Sequence, residues 1–206
     1  MMLRTIAVSL SLTVAAQPGW GADFSDPTWP CVQRKVENLS LGLMWPYPVD
    51  PQAQPASDAE RADIAQLAGY LSLRRVEIET LKPRVAQFAQ TYQGDVEALG
   101  LVFASVFDTL STRRGRIIDG IGDFSLSQIA LADQIDKARG EMDAGLAATE
   151  PDYDRIDKLE EQLDWDQVIY TDRQRNITYL CETPTLLERR LFGIAQMLQQ
   201  VAQEPG

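Results

Sequence analysis

Four groups of side chains in this chain could carry chemistry: two cysteines, a run of carboxylates, a set of arginines at core-like positions, and tryptophans set among prolines. Cys31 and Cys181 are the two cysteines, and no Cys-x-x-Cys spacing exists, so the pair reads as one structural disulfide in an oxidising compartment rather than a redox couple; two buried thiols are the alternative. The acids Asp152, Asp154, Asp157, Glu160, Glu161 and Asp164 could suggest calcium or paired carboxylates for acid–base work. They lack the glycine-turn loop of a calcium-binding hand, and acids at a helix start are favoured by the helix dipole, so a solvated face is expected. The chain has no histidine, which excludes histidine-dependent triads and removes the commonest transition-metal ligand. No Gly-rich phosphate loop or Gly-x-Ser-x-Gly elbow is present either. No catalytic residue, metal site or cofactor is expected.

The remaining polar candidates fall on apolar seams. Arg74 and Arg114 occupy facing seam positions of the first two predicted helices, and two like charges there require a carboxylate or water between them. Glu188, on the last predicted helix, falls near the level of Arg114 and is the expected partner. Asp166 and Arg173 lie on the third seam beside Trp165, either as a register-setting ion pair or as a ligand site between helices. Trp29, Trp45 and Tyr47 lie in a proline-spaced segment, Trp45-Pro46-Tyr47-Pro48. They can flank the core, or they can present a rigid aromatic surface to a partner.

These residues need elements to position them, and the pattern is helical throughout. Residues 95–146 read as one long helix, with Leu99, Phe103, Val106, Leu110, Ile117, Ile121, Leu131, Ile135 and Met142 on one side. At 1.5 Å per residue it would be roughly 75 Å long. Gly115, Gly120 and Gly122 predict a bend or break at its middle. A first helix is predicted from Ser57, the start of a Ser-x-x-Glu capping box, to Gly94, with an unbroken 3-4 seam from Ile64 to Tyr92, a solvent-side kink at Pro83 and an antiparallel pairing onto the long helix that sets Leu67 opposite Ile121. A third helix runs from Pro151 back along the long one, with Tyr170 level with Gln128, and a fourth starts at Thr183-Pro184.

Residues 1–21 show a basic start, an apolar run and a Gly-x-Gly site, the parts of a secretory leader directing the chain to the periplasm. Its removal leaves 18 basic and 30 acidic residues, a net charge of −12 that opposes nucleic-acid binding. No later segment is predicted to cross a membrane. The reading is an all-α, elongated antiparallel bundle of coiled-coil-like hairpins: leader 1–21, Trp/Pro strap 22–56, bundle 57–206. The expected function is that of a non-enzymatic accessory or scaffold subunit contacting proteins through the Trp45 arm and the acidic flank. The alternative is a periplasmic chaperone or a small-ligand binder. Seams this long could also be completed by a second copy.

Overall fold

A computed structural model describes residues 25–50, 53 and 55–202. The predicted leader, 1–21, and the start of the strap lie outside them. The described residues form four α-helices and no strand: α1 (Asp58–Leu71), α2 (Lys82–Thr91), α3 (Val96–Leu146) and α4 (Tyr153–Gln199). No described helix is long and apolar enough to cross a membrane.

Helix α1 begins as its capping box requires: the Ser57 hydroxyl accepts from the Glu60 N–H. The Glu60 carboxylate reaches back one residue further than usual, to the Ala56 N–H. The predicted single helix from 57 to 94 is not formed. Helix α1 ends at Leu71, a 3-10 turn spans Ile78–Leu81, and α2 starts with Pro83 inside its first turn, where a missing N–H breaks no helical bond. Pro83 is therefore a helix start and not a kink. Helices α1 and α2 fold back on each other, since Tyr92 donates to Asp63 and the Arg84 guanidinium lies 4.1 Å over the Tyr70 ring. Helix α1 thus runs in the same direction as α3, and the expected antiparallel register onto α3 fails for it. Leu67 packs in the main core, whereas Ile121 belongs to a separate cluster with Trp29, Cys31, Ile118 and Cys181.

Gln93 and Gly94 take positive φ (55° and 68°) to make the tight turn into α3, and the Asp95 carboxylate accepts from the Glu97 N–H. Helix α3 then continues for 51 residues through Gly115, Gly120 and Gly122 without a break. The second hairpin keeps its expected register, with the Gln128 side chain donating to the Tyr170 carbonyl. The predicted helix boundary at Thr183-Pro184 is absent, because α4 runs unbroken through Pro184 to Gln199. A proline inside a helix cannot donate to the carbonyl four residues earlier and costs about 3 kcal/mol. Here Pro184 is buried, three residues after Cys181.

The result has two parts. A four-helix head combines α1, α2, the first part of α3 and the last part of α4 around 20 buried side chains. A two-helix stalk, residues 118–182, carries the remainder of α3 and α4 to a turn at 147–152.

Candidate interaction surface

The strap decides which surfaces stay open. It runs antiparallel to α3 and is fixed at successive levels. The Pro27 carbonyl accepts from the Ser125 hydroxyl, and Thr28 lies against Gly122, where an added Cβ would sit 3.5 Å from it. Asp26 accepts from the Thr28 hydroxyl and N–H, and these bonds, with Lys35 adding to them, hold its carboxyl below the usual carboxylate range. Cys31 and Cys181 form the disulfide, with Cα atoms 5.5 Å apart. Beside it, Gln33 donates to the Cys181 carbonyl and Trp29 donates to the Gln33 carbonyl.

One level up, Arg114 is 3% exposed, and each of its three side-chain nitrogens donates a hydrogen bond. Its Nε donates to Glu188 Oε1 at 2.7 Å, and its Nη1 and Nη2 donate to the carbonyls of Glu37 and Val36. The structure thus brings Arg114 and Glu188 together, but it does not include Arg74, which is exposed on the α1–α2 connection. The expected Arg74–Arg114 layer is absent because α1 ends before Arg74. Arg190, which the seam reading passed over, takes the buried role: its Nε donates to the Leu71 carbonyl and its Nη1 to the Val76 carbonyl, closing the open end of α1. Burial lowers its pKa, and Glu77 opposes the shift. The available signal was a charge embedded among Leu187, Leu191 and Ile194.

At the top of the strap, Trp45 is 1% exposed and stacks on Phe103 with ring centroids 5.5 Å apart. Tyr47 meets the Trp45 ring edge and is half-buried, and Trp29 is buried beside the disulfide. The reading of Trp29, Trp45 and Tyr47 as a presented aromatic surface is therefore corrected: the tryptophans are core. Gly100 makes this possible, since an added Cβ would lie 3.2 Å from Val49 Cγ2 and 3.4 Å from Trp45 Nε1. Gln199 donates to the Met44 carbonyl and secures the same end.

Asp166 and Arg173 do not form a buried pair. Asp166 is half-buried and accepts from Gln134 across the stalk, while Arg173 is exposed, because a two-helix hairpin leaves the flanks of its seam in water. In the head, a cleft of about 110 Å³ between α1 and α2 is lined by Asp63, Tyr70, Arg84 and Tyr92, with Tyr92 donating to Asp63 and the Arg84 guanidinium over the Tyr70 ring. The Asp63 carboxylate, by accepting from the Tyr92 hydroxyl, raises that phenol's pKa to about 12. Among the described residues no cluster of three or more acids or cysteines is arranged to hold a metal.

The open surface is the stalk. It holds 16 acidic and 6 basic residues, a net charge of −10, while the described head, residues 25–117 and 183–202, balances 12 of each. Between Ser125 and Leu180 only Ile135, Ala138 and Ile156 are buried. Trp165, Val168 and Tyr179 stand in solvent. Comparison with known proteins finds no counterpart: no family model, no curated protein and no solved structure matches this chain.

Proposed function

We propose that this is an exported, non-enzymatic accessory or scaffold protein that works by contact with another protein, with the acidic stalk as its contact arm. The observation that carries the reading is the stalk itself. A hairpin about 40 Å long leaves the head with three buried residues between Ser125 and Leu180 and with Trp165, Val168 and Tyr179 in water, the kind of apolar exposure that marks an interaction site. The disulfide and the leader-like start support a place outside the cytoplasm, in the periplasm. The head then acts as the rigid base from which the arm is held.

The test is chemical cross-linking in intact cells, followed by purification and identification of co-purifying proteins. A stoichiometric partner cross-linked within residues 118–182 is the expected result. Many unrelated proteins at low occupancy would replace this reading with the chaperone. Recovery of the chain alone with extra mass on the native protein would replace it with the small-ligand binder. The intact mass also tests leader removal after Gly21.

A further inference from the structure

We infer that the outward flank of α4 between Trp165 and Tyr179 docks a cationic amphipathic helix of a partner protein. The inference rests on the contact-arm reading and adds the place and the chemistry. At 3.6 residues per turn Trp165, Val168 and Tyr179 fall within about 60° of one another around the helix. They point away from the seam of Leu163, Tyr170 and Ile177 that faces α3. They are 65%, 55% and 72% exposed, and Ile169 at 39% widens the stripe. Trp165 to Tyr179 spans roughly 21 Å, about four helical turns. Spacing of this kind is matched by the anchors of another helix lying alongside, and Trp and Tyr are the side chains that most often dominate such contacts.

Charge selects the occupant. Val168 lines an open groove of about 500 Å³ with Asp164, Gln167, Asp172 and Arg175. Of the stalk's acids, only Asp136, Glu141 and Asp172 form ion pairs, which leaves Asp164 and Glu161 beside Trp165 without a cation. A second copy would bring another −10 to the same place, and an anionic membrane surface would be repelled likewise. A helix with Lys or Arg flanking an apolar stripe supplies both what covers the Trp165 flank and what the carboxylates lack.

Trp165 is the exposed tryptophan among the described residues, Trp29 and Trp45 being buried, so its emission reports occupancy. The mature full-length protein is titrated with two synthetic helical peptides of about 18 residues, roughly 27 Å, sharing one Leu/Ile face and carrying Lys or Glu on the other. The Lys peptide is expected to bind with a blue shift and reduced acrylamide quenching, and to weaken as salt rises. Val168→Ala with Tyr179→Ala is expected to weaken it at least about tenfold, the loss of a side chain of hot-spot rank, without changing the melting temperature. Asp164→Asn is expected to weaken binding at low salt and to make it less sensitive to salt. Equal binding of the Glu peptide, or Lys-peptide binding indifferent to Val168→Ala with Tyr179→Ala, would overturn the inference. A concentration-dependent dimer that already shields Trp165 would overturn it in favour of a second copy. A cellular partner cross-linked through another face would sink this inference alone, whereas the absence of any stoichiometric partner would sink the contact-arm reading itself.

Discussion

The head and the stalk are made from the same two helices and yet obey different rules. In the head, α3 and α4 bury Leu99, Phe103, Leu110, Leu187, Leu191 and Leu198 completely against α1, α2 and Trp45. In the stalk the same helices have only each other, and seam residues such as Leu163, Tyr170 and Ile177 remain half-buried. The head is electrically balanced and the stalk carries −10. Trp45 and Trp165 make the contrast concrete: one indole is sealed in the core and the other stands in water. Such a stalk persists because its helices are continuations of ones nucleated and packed in the head, so the unfavourable first turn is not formed anew. Burial and exposure are thereby assigned to different ends of one hairpin, and the strap locks the junction between them.

The sharpest test of this division is the pair of tryptophan substitutions. Trp45→Ala should destabilise the head by about 4 kcal/mol, in the range for truncating a large core aromatic, whereas Trp165→Ala should stay within about 0.5 kcal/mol, as for other surface changes. Denaturant unfolding of both variants would measure this, and equal losses would break the comparison. Replacing Cys31 and Cys181 by Ser should cost about 3 kcal/mol, since a bridge across 150 residues restricts the unfolded chain strongly. The loss should appear first as hydrogen exchange in the strap rather than at the stalk tip.

Glu188→Ala should cost about 2 kcal/mol, because the buried Arg114 guanidinium loses its anion. A compensating Arg114→Leu should restore only part of this, since the carbonyls of Val36 and Glu37 would lose their donors as well. A smaller effect is expected from salt. Raising it to about 0.5 M should screen repulsion among the stalk carboxylates and slow hydrogen exchange in residues 118–182, leaving the head unchanged. The least effect is expected at Tyr92. Its pKa is raised to about 12 in the folded state, so its contribution is present below pH 10, the ordinary phenol value, and is lost as pH rises toward 12. Tyr92→Phe should remove that pH dependence and little else.

Much of this was legible in residue spacing. The long α3, the register of Gln128 against Tyr170, the capping box at Ser57, and the proximity of Arg114 and Glu188 all follow from helical period and antiparallel geometry. The break after Leu71 was not legible, because the seam from Ile64 to Tyr92 keeps its 3-4 alternation straight through it. What permits the break is Arg190, 119 residues away, which accepts the role of donor to the freed Leu71 carbonyl. Pro184 points the opposite way: it reads as a helix start, yet α4 runs on through it with the proline buried. The aromatic arm misled too, since nothing local to Trp45 announces that Gly100 leaves a space of its shape.

The sequence by itself determined the helices, their approximate levels and the charge of each segment, because these depend on period, caps and composition, which are local. Tertiary structure alone decided which apolar stripe is covered. The strap occupies the flank of α3 in the head, sealing Trp45, and no element reaches the outer flank of α4 beyond the disulfide among the described residues. Burial is a property of what else is present, and the same tryptophan side chain becomes core or exposed surface according to whether another part of the chain can reach it.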